Sequence, residues 1–166
     1  MIIQSNRFTR WICDRIVGFV ARQHLRDPDF VIQQGDVIYL ERWWVIPRNR
    51  FLNVYYHVFH HSDDDRALHD HPWWSVSFML SKLVFENYKT EARIERRAIH
   101  YGDVVFRSGK FAHQMELSRG SLNHVHTLFI TGPRFRQWGF HCPKGWVHWK
   151  EFTKPGAPGQ IGRGCD

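Results

Sequence analysis

Two histidines that flank an aspartate, His69-Asp70-His71, are the residues whose types and spacing most directly suggest chemistry. They precede a predicted strand, and because side chains alternate along a strand, His69 and His71 point to one face and Asp70 to the other. Two imidazoles on one face can bind a transition-metal ion if a neighbouring strand supplies a third ligand. The alternative is that these histidines are hydrogen-bonded structural residues.

The surroundings of these histidines resemble the two sequence motifs of the cupin superfamily. His69 and His71 match the histidine pair of the first motif, and His113 matches the single histidine of the second, with Gly102 at the expected distance before the turn. The resemblance covers residues 37 to 141 approximately. It implies a jelly-roll β-barrel or sandwich with a metal site in the barrel.

One departure of the chain from the cupin pattern affects the chemistry. Ser75 or Val76 stands where the first motif has its metal-binding glutamate. The resemblance is then to the three-histidine cupin dioxygenases, which implies a divalent transition metal, iron(II) first, with zinc, manganese and nickel as alternatives. Three neutral ligands leave the ion's +2 charge uncompensated, which favours a small anionic substrate. Glu86 could restore a carboxylate if its strand turns it inward, although its spacing does not match the motif.

The candidates for binding the substrate are Arg66, Arg107, Trp73 and His126, whereas no catalytic residue can be named. Arg66 and Arg107 could each clamp a carboxylate in a bidentate way, and Arg134 is an alternative for the same role. Trp73 could form an aromatic wall above the metal. His126 could line the barrel, although burial among apolar residues is an equal alternative.

The elements that must position these residues are mostly strands. Apolar residues at three- and four-residue steps predict an amphipathic helix over residues 5 to 25, expected to pack on its own domain rather than on a membrane surface. About eight short segments rich in β-branched and aromatic residues follow, separated by turn formers. They predict an all-β, cupin-like fold with its barrel over residues 35 to 150, and a Gly/Pro-rich tail over 153 to 166. The chain of 166 residues is expected to form a single domain.

Composition narrows the class of protein further. The net charge is +7 and the basic residues, Arg42 among them, are scattered, which predicts a generally basic surface rather than a nucleic-acid interface. Most of the twelve histidines, including His57, are expected to be surface residues or hydrogen-bonded core residues. Three widely spaced cysteines argue against a disulfide framework and a zinc knuckle. No signal-peptide pattern or membrane span is evident, so a cytoplasmic location is expected.

Three hypotheses about function follow. The first is a metal-binding cupin enzyme, dioxygenase-like or isomerase-like, that acts on a small anionic substrate at the three-histidine site. The second is a non-catalytic cupin that binds a small ligand or a protein partner, and the third, which rests on charge and aromatic residues alone, is a nucleic-acid-binding protein. The cupin resemblance also implies that the chain could form a homodimer.

Overall fold

The computed structural model describes residues 1–63, 66–81, 83–117, 124–154 and 162–166. Part of the acidic turn (Asp64 and Asp65) and half of the predicted tail (155 to 161) therefore lie outside the described residues. Two α-helices are present in this part of the chain, α1 (Arg7–Val20) and α2 (Trp149–Phe152), with a short 3₁₀ turn at Gln23–Leu25. The strands are β1 (Ile2–Ile3), β2 (Phe30–Gln34), β3 (Val37–Trp44), β4 (Asn53–Phe59), β5 (Leu68–His69), β6 (Ser75–Met79), β7 (Leu83–Lys89), β8 (Ile94–His100), β9 (Val104–Arg107), β10 (His113–Leu117), β11 (Val125–Thr131), β12 (Gly139–Cys142) and β13 (Gly145–His148).

These strands form two antiparallel sheets. The seven-stranded sheet has the order β1-β9-β6-β11-β4-β3-β2, and the six-stranded sheet has the order β13-β12-β5-β10-β7-β8. A core cluster joins the sheets face to face, with members from both: Met79, Val105 and Val125 from the first and Val84, Ile99 and Met115 from the second. The predicted all-β, cupin-like sandwich is confirmed, although the described residues contain more strands than the eight expected.

The N-terminal helix covers the outer face of the seven-stranded sheet. It begins after Asn6, whose side-chain oxygen accepts hydrogen bonds from the backbone of Phe8 and Thr9, while the Thr9 hydroxyl accepts one from the backbone of Asn6. This reciprocal capping satisfies backbone groups that a helix end leaves unpaired. Ile16 and Val20 then pack against β3 and β4. The helix predicted over 5 to 25 is present over a shorter range and packs on its own domain as expected.

The opposite side of this helix carries large side chains in contact with solvent. Phe8, Trp11 and Phe19 are all more than half exposed. No helix in the described part of the chain has the length and apolar character needed to cross a membrane.

The C-terminal end of the chain contains a disulfide bond that the sequence analysis did not predict. Cys142 at the end of β12 is bonded to Cys165, 23 positions later, while Cys13 is a buried free thiol. The expectation of no disulfide framework rested on an odd number of widely spaced cysteines, and that spacing says nothing about which segments return to the same strand. Here Phe152 of α2 stacks on Phe140 of β12 at 3.6 Å between ring centres, which brings the last residues back to β12.

Candidate metal centre

The three histidines named from the sequence lie together inside the sandwich. His69 on β5 and His113 on β10 are register partners, so two neighbouring strands set them side by side. The Nε2 atoms of His71 and His113 are 2.9 Å apart, and one ring nitrogen from each of the three residues lies within 4.8 Å of the others. His113 and Met115 are two positions apart on β10, so their side chains point to the same face of the sheet. Because Met115 belongs to the core between the sheets, the cluster faces the interior.

Burial keeps the imidazoles of His69 and His71 in the neutral form. Removal from water lowers the pKa of His69 to about 4, although Asp63 opposes the shift. Burial and the neighbouring His69 and His113 lower the pKa of His71 well below its ordinary value. A neutral imidazole has the free lone pair that a metal ligand needs, so at neutral pH His69 and His71 can bind a cation without losing a proton.

Asp70 points away from the cluster and anchors the segment that carries it. It is 1% exposed and accepts hydrogen bonds from the backbone of Gly139, the indole of Trp146 and the guanidinium of Arg136. Burial opposes its ionisation, but hydrogen bonds from His141 and Arg136 outweigh burial and lower the pKa of Asp70 to about 2. Arg136 also donates to the backbone oxygen of His71. Asp70 therefore holds His69 and His71 in place from the opposite face.

Glu86 supplies a carboxylate directly behind one histidine. It is on β7, fully buried, and its oxygens lie 2.7 Å from Nδ1 of His113, 2.6 Å from Nε of Arg107 and 2.6 Å from Nε of Arg97. Although burial alone would raise its pKa, Arg107 and His113 hold the pKa of Glu86 below its usual range. The strand does turn Glu86 inward, but towards the ring nitrogen of His113 that faces away from His71. A carboxylate in this position makes Nδ1 the protonated nitrogen and leaves Nε2 free as a ligand atom.

The four residues predicted to bind substrate occupy different surroundings. The Trp73 ring stacks beside His71 at 6.2 Å between ring centres, so it does border the cluster. Arg107 is buried and its guanidinium is engaged by Glu86 and the Ser77 hydroxyl. The remaining two have partners elsewhere. Arg66 donates a hydrogen bond to the Gly162 carbonyl, and His126 shares a hydrogen bond with the Tyr56 hydroxyl on the outer face of the seven-stranded sheet, under α1.

Two interior residues were not singled out from the sequence. Arg42 on β3 was counted with the scattered basic residues, and His57 on β4 was counted with the surface or core histidines. The structure pairs them: Nε of Arg42 donates to Nε2 of His57 at 2.8 Å. His57 is 3% exposed, and burial together with the charge of Arg42 lowers its pKa well below its ordinary value. Leu40 and Arg42 are two positions apart on β3 and therefore share a face of the strand. The apolar Leu40 is the signal that could have placed Arg42 on the inner face.

Comparison with known proteins gives a fold but no family. No family model and no curated protein matches the chain. Among solved structures, the chain is similar to the DMSP lyase DddQ from Ruegeria pomeroyi, with a TM-score of 0.55 and 14% identity over 76% of this chain and 66% of that one. Hydroxypropylphosphonic acid epoxidase from S. wedmorenis gives a TM-score of 0.48 and 14% identity over 64% of this chain and 57% of that one.

An oxalate decarboxylase from Bacillus subtilis gives a TM-score of 0.45 and 15% identity over 58% of this chain and 26% of that one. The matched region is thus less than two thirds of each of these proteins. Of the three, the lyase alone exceeds a TM-score of 0.5, and at its level of identity the likeness establishes the cupin-like fold rather than an activity.

Proposed function

We propose that this protein is a metal-dependent cupin enzyme that acts on a small anionic molecule. The observation that carries the proposal is the convergence of His69, His71 and His113, with Glu86 behind His113. The donor set fits a divalent transition metal because imidazole nitrogen is a preferred ligand of iron, zinc and nickel. We propose iron(II) first, with zinc, manganese and nickel as alternatives.

A metal ion bound there would polarise a substrate oxygen as a Lewis acid or, if it is iron, support chemistry with dioxygen. The chain's own residues prepare the site for this role. Glu86 orients His113 and keeps its proton on Nδ1, while Asp70 fixes the backbone between His69 and His71. The Trp73 ring beside His71 limits the access of water from that side. Three neutral ligands preserve the positive charge of the ion, which attracts an anion.

Metal content measured on protein purified without a histidine tag tests the proposal. The chain is stripped with a chelator, reconstituted separately with iron(II), zinc, manganese and nickel, and analysed for metal bound per chain. We expect one ion per chain in the natural sequence and a loss of at least tenfold in affinity in His71→Ala and His113→Ala. His100→Ala is the matched control because His100 is exposed and lies outside the cluster. Failure of all four metals to bind would refute the metal site.

A second experiment with the metal-loaded protein distinguishes an enzyme from a cupin that only binds ligands. Metal-loaded protein is incubated with a panel of small carboxylates and phosphonates, and products are followed by mass spectrometry together with dioxygen consumption. Conversion that requires both the metal and His113 supports the enzyme. Tight binding of a panel member without any conversion supports the non-catalytic alternative.

A further inference from the structure

One guanidinium of the sandwich interior has no negative partner among the described residues. Arg42 is half-buried on β3, its charge lies 4.9 Å from the centre of the Tyr55 ring, and its Nε is used by His57. No described carboxylate lies within ion-pair distance of it, and its two terminal nitrogens donate to no described residue. A guanidinium offers these two nitrogens as a fork that matches a carboxylate. The two terminal nitrogens of Arg42 are therefore available to bind a carboxylate.

Three other guanidinium groups near the cluster already contact a buried carboxylate. Arg107 and Arg97 share the single negative charge of Glu86, and Arg136 binds Asp70 at 3.0 Å on the face that points away from the cluster. An anion could engage these residues only by competing with a buried carboxylate. Arg42 faces no such competition.

The close polar partner that Arg42 has among the described residues does not neutralise it either. His57 is neutral and accepts a hydrogen bond from Arg42, so the positive charge is oriented but not compensated. Leaving a partly desolvated charge without a counter-charge is unfavourable. A ligand that brings a negative group to Arg42 would remove that cost.

The strand register places Arg42 on the same inner surface as the histidine cluster. Arg42 pairs with His57, His57 with Thr127, and Thr127 with Met79 across four strands, and residues directly opposite one another share a face. Met79 contributes to the core between the sheets, so the whole row faces the six-stranded sheet that carries His113.

A second polar atom in this row lacks a partner. The hydroxyl of Thr127 is buried, the residue is 3% exposed, and no described atom accepts or donates a hydrogen bond to it. Buried polar groups are nearly always hydrogen-bonded, so an unpaired one in the same row as an uncompensated charge indicates a place for a polar ligand group. Thr127 and Arg42 flank His57 on its two neighbouring strands.

We propose that Arg42 binds the carboxylate at one end of a small bifunctional substrate that lies along the row with Thr127 and whose other end reaches the metal centre. This inference rests on the proposed function, and it narrows the substrate class to short molecules with a carboxylate and a second metal-binding group. A single free guanidinium matches one negative charge, which favours a carboxylate over a phosphate dianion. In this proposal Arg42 binds the substrate carboxylate, the role that the sequence predicted for Arg66 and Arg107.

Calorimetric titration with a series of dicarboxylates tests this proposal. Malonate, succinate and glutarate are compared with monocarboxylates of equal carbon number, in metal-free protein and in protein reconstituted with cobalt(II), whose visible spectrum reports on ligand binding at the metal. We expect one chain length to bind at least tenfold more tightly than its monocarboxylate in the cobalt(II) protein. Arg42→Met should abolish this advantage, whereas Arg42→Lys should retain part of it because the charge remains and the fork does not.

Arg50→Met is the control because Arg50 is exposed and lies over the Phe51 ring. Circular dichroism confirms that each variant is folded. Dicarboxylate binding of natural strength in Arg42→Met, or no dicarboxylate binding in the natural protein, would overturn the inference.

The two proposals fail in different ways. Carboxylate binding that depends on Arg42 in metal-free protein, without cobalt uptake, would refute the metal site and keep only the carboxylate-binding role of Arg42. Normal cobalt uptake without any effect of Arg42 would refute this inference alone.

Discussion

Glu86→Gln is expected to destabilise the fold strongly even though the two side chains have nearly the same shape. Glu86 is 0% exposed and Arg107 is 3% exposed, so glutamine leaves the charge of Arg107 buried with only neutral partners, Ser77 and the sulfur of Met115. Arg97 can turn towards water, because 21% of its side chain is exposed, and should contribute less. The destabilisation is therefore assigned to one uncompensated charge rather than to a cavity.

The magnitude follows from the cost of breaking a buried ion pair. Removing one partner of such a pair costs about 3–5 kcal/mol, while domains are stable by about 5–15 kcal/mol in total. At about 2–4 °C per kcal/mol for a chain of this size, the Tm should fall by about 6–20 °C. The variant should still fold at low temperature, which permits a binding measurement.

Urea unfolding followed by circular dichroism measures this loss, and Glu116→Gln is the matched control. Glu116 binds Arg96 at 3.0 Å on the same sheet, but their side chains are 37% and 48% exposed. Exposed ion pairs contribute about 0–1 kcal/mol, so the control should unfold close to the natural protein. A loss in Glu86→Gln no larger than that of the control would refute the role assigned to the buried carboxylate.

The same substitution should weaken metal binding. Without the carboxylate at Nδ1, His113 loses the partner that fixes its tautomer and ring orientation, and such losses cost about 10–100-fold in metal affinity. Competition with a chromogenic chelator at low temperature, where the variant is folded, gives the affinity. Unchanged affinity would show that Glu86 supports the fold without supporting the site.

Three further outcomes are expected. In metal-free protein, His57 stays neutral when folded and is protonated near pH 6.5 when unfolded, so its contribution to stability is complete above that pH and declines below it. The stability difference between the natural protein and His57→Gln should thus shrink by about 2 kcal/mol from pH 7 to pH 5, and a constant difference would contradict the lowered pKa. Asp70→Asn should lower the Tm and weaken metal binding, because Arg136 and the backbone between the two histidine ligands lose their charged anchor; unchanged values for both would refute the anchoring role. Thiol titration of unfolded, unreduced protein should find one free cysteine, and reduction should cost about 3 kcal/mol in unfolding free energy, whereas three free thiols would refute the bond between Cys142 and Cys165.

The candidate ligands could be predicted from the sequence because their arrangement is local. In His69-Asp70-His71, the alternation of side chains along an extended segment is sufficient to separate the two imidazoles from the carboxylate. The cupin resemblance then added His113. The helix at the N-terminus was similarly accessible because three- and four-residue periodicity is a property of neighbouring residues. Its exact beginning at Asn6 depends on a cap that the periodicity does not reveal.

The residues that tune the site could not be predicted in the same way. Glu86 does not occupy the motif position of the cupin glutamate, and it reaches His113 only because β7 and β10 are neighbours with Glu86 paired to Met115. Arg107 was expected to meet a substrate, whereas the fold directs it to Glu86. His126 has the alternation of a barrel-lining residue, but alternation alone does not say which face of a strand turns inward.

The sequence by itself therefore determined the class of fold, the amphipathic helix and the shared face of His69 and His71. These properties depend on periodicity and alternation within short segments, whereas His113 was added by the cupin resemblance. Only the tertiary structure decided that Glu86 lies behind His113, that Arg42 remains uncompensated beside His57, and that Cys142 meets Cys165. Each of these contacts joins residues between 15 and 27 positions apart. Such contacts depend on which strands become neighbours and in what register, and this is settled by the packing of the whole sandwich rather than by any local pattern.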